Sequence, residues 1–163
     1  FARDLFLFSF FSRGMPFVDI IYLKKSSVGN GVISYRRRKT GQWLHVSLTP
    51  QLKALIRKYA NESEYVFPVL QGTDGRDLHR QYRLALERVN RYLKRIALEC
   101  GVSVPLTTYV ARHSWATLAR ESGAPVAVIS EGLGHTSEKT TQIYLKEFDR
   151  RIVDRVNAVV SKL

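Results

Sequence analysis

The sequence predicts a mainly α-helical α+β domain with one small antiparallel sheet. Two observations support this fold class. In several segments, apolar residues recur at helical spacing while Arg and Lys fill the other face. One segment instead alternates apolar and polar residues with the period of two that is typical of a half-buried strand. The 163 residues contain no internal repeat and no Pro- or Ser-rich linker, so we expect residues 1–163 to form a single domain.

The first half of the chain is predicted to place helices on both sides of a β-hairpin. Gly14 and Pro16 end the first helix, because both residue types oppose its continuation. Gly41 suits a hairpin turn that needs positive φ, and Thr49 before Pro50 is a suitable helix N-cap. The predicted elements are a largely apolar helix (residues 2–11), a helical turn (17–23), a hairpin (32–38 and 43–48), a helix (50–60) and a short third strand (65–68).

The second half is predicted to be helical. Gly101 and Gly123 follow apolar stripes and are stop signals for two helices. Thr136 is expected to cap a later helix. The last helix carries a stripe of Ile152, Val156, Val159 and Val160. The predicted helices span residues 77–100, 108–122, 125–133, 136–145 and 149–162.

The composition limits the kinds of partner. A formal net charge of +12 and a pI of about 10.1 favour a polyanion such as nucleic acid, although a basic globular protein without such a partner is the alternative. The single cysteine, Cys100, excludes an internal disulfide and a Cys-based zinc site. The four His residues are scattered, and the sequence has no nucleotide-binding motif, so we expect no metal and no cofactor. The longest apolar run, residues 5–11, is too short to span a bilayer, and we expect no membrane contact.

Three segments in the last third of the chain point to one chemistry. They are residues 109–117 (YVARHSWAT), 133–137 (LGHTS) and 140–145 (TTQIYL). In order and spacing they resemble the tyrosine recombinase (phage integrase) family, which has an Arg-His-Ser segment, a Leu-Gly-His segment and a Tyr nine residues after that His. The resemblance covers essentially the whole chain. The amino-acid sequence of residues 11–19 (FSRGMPFVD) looks most like that of integrases of mobile elements in Bacteroides-type bacteria.

The resemblance implies the catalytic-domain fold of tyrosine recombinases, with helices around a small antiparallel three-stranded sheet. It implies an enzyme that recombines or integrates DNA at specific sites through a 3′-phosphotyrosyl intermediate, without cofactor or metal. The implied catalytic residues are Arg13, Lys39, Arg112, His135 and the nucleophile Tyr144.

The reaction explains these residue types. Charge builds on the phosphate oxygens, and the guanidiniums of Arg13 and Arg112 suit that charge. Lys39 at the hairpin tip can give a proton to the leaving 5′-oxygen, while His135 either binds the phosphate or takes the proton of the tyrosine. The family usually has His three residues before its second Arg, where this chain has Tyr109. A phenol with a pKa of about 10 can donate to a phosphate but is a poor base, so we interpret Tyr109 as a phosphate-contacting or structural variant.

Basic residues around the predicted hairpin suit contacts with the DNA backbone, although a solvated charge cluster is the alternative. The residues predicted to bind DNA are Lys24, Lys25, Arg36, Arg37, Arg38 and Thr40.

Other functions and partners stay open at this point. The chain is alternatively a module that binds DNA or a recombination partner without cutting, or a type IB topoisomerase-like enzyme that relaxes DNA. For an integrase, the resemblance implies double-stranded DNA as partner, and a synaptic tetramer of recombinase protomers joined through the C-terminal helix. The apolar stripe of that helix either packs on its own domain or docks into a neighbouring protomer. The resemblance also implies a core-binding domain before Phe1 that this chain lacks, and a location in the bacterial cytoplasm at the nucleoid.

Overall fold

The first half of the chain packs helices against a three-stranded antiparallel sheet in the computed structural model. The structure describes residues 1–72, 74–142, 145, 154, 157, 158, 160 and 161. The elements of this half are α1 (Ala2–Phe11), α2 (Phe17–Ile21), a 3₁₀ turn (Lys25–Ser27), β1 (Val28–Gly29), β2 (Val32–Arg36), β3 (Trp43–Ser47) and α3 (Pro50–Lys58). The fold class predicted from the sequence is therefore confirmed.

The hairpin of β2 and β3 forms because its residues alternate between core and solvent. Ile33 pairs with Val46 and both are buried, as is Tyr35 two residues further along β2. Such alternation places every second side chain on the core face of a sheet. The loop of residues 37–42 closes through two backbone hydrogen bonds of 2.8 Å, from Arg37 N–H to Gln42 O and from Gly41 N–H to Arg37 O.

The third strand lies elsewhere than predicted. Residues 65–68 were expected to supply it, but Tyr65 makes only an isolated bridge with Lys24. The third strand is instead β1, which pairs with β2 across the turn at Asn30 and Gly31, both at positive φ. A two-residue strand is too short to show any alternation in the sequence. The apolar character of residues 65–67 reflects burial in the core, since all three are at most 5% exposed.

The second half is helical in its described part, as α4 (Gly75–Glu99), α5 (Val110–Glu121), α6 (Val126–Leu133) and α7 (Glu138–Gln142). Thr49 caps α3 as predicted, accepting from Leu52 N–H at 3.3 Å. The predicted cap at Thr136 is wrong, because the hydroxyl of the next residue, Ser137, accepts from Lys139 N–H at 3.3 Å. In the predicted last helix, Ile152, Val156 and Val159 lie outside the described residues.

Two apolar clusters hold the fold together. The larger joins α1, α2, the sheet, α3 and α4, and its fully buried members include Phe8, Ile20, Ile33, Leu52 and Phe67. The smaller lies between α5 and α6 and contains Ala116, Ile129 and Leu133. Burial of such side chains contributes about 1.5 to 3 kcal/mol each. In the part of the chain that the structure describes, no helix combines the length and apolarity needed to cross a membrane.

The turn after α1 brings the two clusters together. Arg13 and Gly14 both adopt positive φ, 60° and 70°, which turns the chain sharply away from the helix. A Cβ on Gly14 would lie 2.9 Å from the Cα of Arg112, so the turn packs directly on the backbone near the start of α5. Only glycine permits both this backbone conformation and this approach.

Candidate active site

A cleft of about 220 Å³ opens where α2, the β2–β3 loop, the start of α5 and the α6–α7 turn meet. Several residues singled out in the sequence line it together, although they are far apart in the chain. The cleft is lined by Pro16, Val18, Asp19, Arg37, Lys39, Thr40, Tyr109, His135, Thr136 and Thr140. The cleft therefore brings together Lys39, Tyr109 and His135, which come from three separate segments of the chain.

Arg112 lies behind the cleft and is only 1% exposed. Its Nη1 donates to Gly14 O at 2.8 Å, and its Nη2 donates to Leu133 O at 2.6 Å. Nη2 also lies 2.9 Å from Nε2 of His135. These contacts hold the guanidinium between the turn after α1 and the end of α6.

The contacts of His135 determine its tautomer. A guanidinium can only donate hydrogen bonds, so Nε2 of His135 accepts from Arg112. The proton of the neutral ring therefore lies on Nδ1, which donates to Thr141 Oγ1 at 2.8 Å. Burial, together with the positive charges of Arg112, Arg37 and Lys39, lowers the pKa of His135 to about 4. At neutral pH, His135 is thus an uncharged acceptor that orients Arg112.

The β2–β3 loop supplies the basic side of the cleft. Lys39 lies exposed in the turn of this loop, next to Thr40, whose hydroxyl is buried. Arg37 is only 5% exposed and donates through Nη1 to Gly134 O. This bond ties the loop to the turn that carries His135.

Asp19 fixes the loop from the opposite side. Its Oδ1 accepts from Arg38 N–H at 3.0 Å, and the side chain is 4% exposed. Burial raises the pKa of Asp19 above its ordinary value, although the Arg38 hydrogen bond and the charges of Arg37 and Arg112 oppose this. Asp19 and Arg37 thus place one carboxylate and one guanidinium inside the cleft.

Arg13 stands apart from this group. It is exposed and does not line the cleft, and its backbone is in the left-handed region. Its charge still reaches the site. Burial and Asp19 raise the pKa of Tyr35, while the guanidiniums of Arg112, Arg37 and Arg13 oppose that rise. Arg13 therefore acts on the site through its charge and does not line the cleft.

Tyr109 lines the cleft at the start of α5 and is 50% exposed. Its ring meets the ring of His113 edge-on, with 4.9 Å between centroids and a 73° angle between planes. Burial and the neighbouring Arg112 lower the pKa of His113. Tyr109 thus lies at the cleft wall, at the N-terminal end of the helix that carries Arg112.

The predicted DNA-binding residues divide into two groups. Arg36, Arg37, Arg38 and Thr40 lie together at the β2–β3 hairpin, where Arg38 stacks 4.0 Å from the Tyr22 ring centroid. Lys24 and Lys25 lie away from the cleft. Lys24 forms a 2.7 Å ion pair with Glu64, and Lys25 donates to Asn61 O.

Tyr144, the predicted nucleophile, lies outside the described residues. The residue before that gap, Gln142, follows the buried Thr141, whose hydroxyl contacts His135. Among the described residues, no group of three or more His, Cys, Asp or Glu side chains could hold a metal ion.

Two site residues have roles that the sequence did not reveal. Thr141 had no signal, because a Thr on a short helix is ordinary. Arg37 was grouped with the surface arginines, yet it continues the inward face of β2 after Ile33 and Tyr35. Extending the period of two by one step beyond the strand would have predicted its burial.

Comparisons with known proteins agree over nearly the whole chain. Residues 6–151 match the model of the phage integrase family. Tyrosine recombinase XerA of Thermococcus kodakarensis is 34% identical over 151 residues, which cover 88% of this chain and 51% of that protein. Tyrosine recombinase XerA of Saccharolobus solfataricus is 31% identical over 124 residues, 76% of this chain and 38% of that protein.

A solved structure agrees with the fold. XerH site-specific recombinase bound to palindromic difH substrate, in a post-cleavage complex, superposes with a TM-score of 0.72 at 21% identity, over 98% of this chain and 46% of that one. The chain spans about half the length, or less, of the two curated relatives. The resemblance seen in the three segments of the last third is therefore confirmed over nearly the whole chain, which belongs to the phage integrase family.

Proposed function

We propose that this chain cleaves and rejoins double-stranded DNA at specific sites, with Tyr144 as the nucleophile. The observation that carries the proposal is that Lys39 and His135 line one cleft, while the buried Arg112 lies behind it and donates to His135. Such donors, held in place before the reaction, suit a phosphate whose oxygens gain charge. Membership of the phage integrase family and the tyrosine recombinase names of the relatives support the same chemistry.

The proposed step exchanges one phosphodiester for another. The Tyr144 oxygen forms a bond to the scissile phosphorus, while the bond from phosphorus to the 5′-oxygen breaks. A base takes the tyrosine proton, and Lys39 gives a proton to the leaving 5′-oxygen. A 5′-hydroxyl from another strand later reverses these events. Because the phosphotyrosyl link stores the bond energy, the exchange needs no nucleotide cofactor.

The arginines and His135 have separate tasks in this proposal. Arg112 donates to the non-bridging oxygens of the phosphate, and Arg13 adds positive charge at the edge of the site. His135 holds the guanidinium of Arg112, because its Nε2 already accepts from that group. Tyr109 contacts the phosphate from the cleft wall.

The wider setting is proposed with the chemistry. The hairpin arginines and Thr40 bind the DNA backbone beside the cleft, with Lys24 and Lys25 further out. The share of the relatives that the chain spans supports a whole protein in which a core-binding domain completes a clamp around DNA. We propose that protomers pair two DNA sites as a tetramer through the segment of residues 149–162. The setting is a mobile element in the cytoplasm of a bacterium.

The nucleophile is tested with a DNA substrate nicked near the cleavage point, so that the released fragment diffuses away and rejoining is lost. The whole protein that contains this chain is incubated with it as wild type and as Tyr144→Phe. We expect an adduct that survives a denaturing gel in the wild type only. An adduct in both would place the nucleophile elsewhere. Specific DNA binding without an adduct in either would support the non-cutting module.

The role of Lys39 is tested by changing the leaving group. A bridging 5′-sulfur leaves without a proton, because a thiol is far more acidic than an alcohol. We expect Lys39→Ala to cleave ordinary DNA about 100-fold more slowly and to recover most of that loss on the sulfur substrate. Arg112→Ala is the matched control and should remain slow on both. Equal loss of Lys39→Ala on both substrates would contradict the assignment of proton donor.

A further inference from the structure

One of three consecutive arginines in the hairpin points inward. Arg36 and Arg38 are exposed, whereas Arg37 is 5% exposed and follows the buried Ile33 and Tyr35 on the core face of β2. Arg36 uses its Nε to bond Gly41 O at 2.8 Å, and Arg38 stacks on Tyr22. The three side chains therefore occupy different environments although the sequence presents them as one basic run.

The buried guanidinium of Arg37 has no matching anion in contact. Its Nη1 donates to Gly134 O, while its Nε is buried and makes no hydrogen bond within the described part of the chain. Across residues 1–72 and 74–142, no carboxylate forms an ion pair with it within 4.0 Å. A buried charge without a close partner is costly, so such an arrangement favours an anion that arrives with a ligand.

Asp19 does not fill this role. Its Oδ1 accepts from Arg38 N–H at 3.0 Å, and its Oδ2 is buried without a hydrogen bond in the described part of the chain, so it influences Arg37 only as a neighbouring charge in the same cleft. The cleft wall also carries Lys39, which is proposed to protonate the leaving oxygen, and His135, which holds Arg112. Arg37 lines the same cleft, so a phosphate bound there beside Lys39 also meets Arg37.

We propose that Arg37 is a further catalytic residue, whose guanidinium binds the non-bridging oxygens of the scissile phosphate beside Arg112. This inference rests on the proposed strand cleavage. It separates Arg37 from Arg36 and Arg38, which contact the DNA backbone away from the reacting atoms. The planar fork of a guanidinium suits two oxygens of one phosphate, and Arg37 is one of the residues that line the cleft.

The test uses the charge of the phosphate. Strand cleavage by the whole protein is measured at saturating protein on two substrates, one with an ordinary scissile phosphate and one with an uncharged methylphosphonate. A residue that neutralises charge on the oxygens matters less when that charge is absent. We expect Arg37→Ala to slow cleavage of the ordinary phosphate about 100-fold or more relative to wild type. On the methylphosphonate, the reduction in cleavage rate should be smaller by a factor of at least about 10.

Arg57→Ala is the matched control, because it removes the same charge from an exposed position of α3 that does not line the cleft. We expect it to stay within about 3-fold of wild type on either substrate. An Arg37→Ala variant that behaves like this control would overturn the inference. A loss that is equal on both substrates would also overturn it, since that result assigns Arg37 only the task of holding Gly134.

Two measurements keep the outcome clear. Thermal unfolding shows whether Arg37→Ala folds. If it does not, Arg37→Lys takes its place, because this variant keeps the positive charge but lacks the planar guanidinium. We expect Arg37→Lys to cleave the ordinary phosphate at a rate between those of wild type and Arg37→Ala. The ratio of its rate to the wild-type rate should be higher on the methylphosphonate than on the phosphate. Absence of cleavage by the wild type would contradict the proposed function itself. Cleavage by the wild type with unimpaired Arg37 variants would contradict this inference alone.

Discussion

Arg112 and His135 form a buried pair in which the guanidinium donates to the imidazole at 2.9 Å. The pair is held from both ends, by Gly14 O behind the guanidinium and by Thr141 Oγ1 behind the imidazole. Protonation of Nε2 would set two donors against each other and place a second positive charge next to the first. The pair therefore requires a neutral His135.

The first prediction follows from this requirement. The pKa of His135 is lowered to about 4 in the folded chain, against about 6.5 in the unfolded chain. Between pH 4 and pH 6.5 the unfolded state binds more protons than the folded state. The contribution of neutral His135 to the free energy of unfolding is therefore fully present above pH 6.5 and falls as the pH drops towards 4. We expect a loss on the order of 1 to 2 kcal/mol over this window, measured by urea unfolding. His135→Gln serves as control, and its stability should change less over the same window.

The second prediction concerns the other side of the imidazole. Thr141→Val keeps the shape of the buried side chain but removes the acceptor for Nδ1–H of His135. An unsatisfied buried donor costs about 1 to 3 kcal/mol, and Thr141→Ser, which keeps the hydroxyl, should cost less. Chemical denaturation measures both. In addition, ¹⁵N shifts of the His135 ring should report the Nδ1–H tautomer in wild type, and the opposite tautomer there would contradict the geometry.

The third prediction tests the turn after α1. Gly14→Ala would place a Cβ 2.9 Å from the Cα and the Cγ of Arg112, at a φ of +70°. Gly72→Ala is a matched control, because its φ is +86° but no heavy atom of the described residues, apart from its chain neighbours, lies within 4 Å of the new Cβ. Both variants carry the backbone strain of about 1 kcal/mol, and only the first also displaces Arg112. We expect Gly14→Ala to lose at least about 1 kcal/mol more than the control in urea unfolding. Equal losses of unfolding free energy in the two variants would show that α5 shifts to make room for the new Cβ without loss of stability, which would contradict the prediction.

The fourth prediction concerns the base of α1, far from the cleft. Asp4 is 1% exposed, although its partners Lys58 and Arg3 reach solvent. Its Oδ2 accepts from Lys58 Nζ at 2.6 Å and from Tyr59 Oη at 2.8 Å. Burial raises the pKa of Asp4, but hydrogen bonds from Lys58, Tyr59 and Arg3 outweigh it and hold this pKa far below its ordinary value.

Since this pKa is depressed, the carboxylate stabilises the fold above pH 4, and its contribution is lost as the pH falls below that value. We expect Asp4→Asn to cost about 2 kcal/mol at pH 7 and much less near pH 2, as measured by thermal unfolding. Glu64→Gln is the control, because its ion pair with Lys24 is exposed and should contribute less than about 1 kcal/mol. An Asp4→Asn cost that is constant with pH would contradict an ionised Asp4.

Periodicity predicted most of the fold, because helices and the β2–β3 hairpin show their pattern over many residues. The bounds of α1 agree with the predicted residues 2–11. The prediction of the sheet edge was wrong. β1 has only two residues and shows no alternation, but it pairs with β2 across Asn30 and Gly31, an Asn-Gly turn that is a local hairpin signal and that the prediction did not use. The apolar residues 65–67 carried the stronger strand signal but are buried in the core instead.

The candidate site was predictable where its residues lie in short segments and not where it depends on packing. His135 and Arg112 were selected through segment order, and the structure brings them together. The burial of Arg37 and the displacement of Arg13 from the cleft depend on how the hairpin and the turn after α1 are placed. Sequence spacing contains no information on such placement between distant elements.

The bond from Arg112 to Gly14 joins residues 98 positions apart in the chain. The site that we propose for the scissile phosphate therefore forms only after the early and late parts of the polypeptide have packed against each other. A chain that is still being synthesised, or that has partly unfolded, lacks this assembled site. The proposed reaction leaves a DNA strand cut between its two steps, and on this geometry a molecule that has not finished folding is unable to begin it.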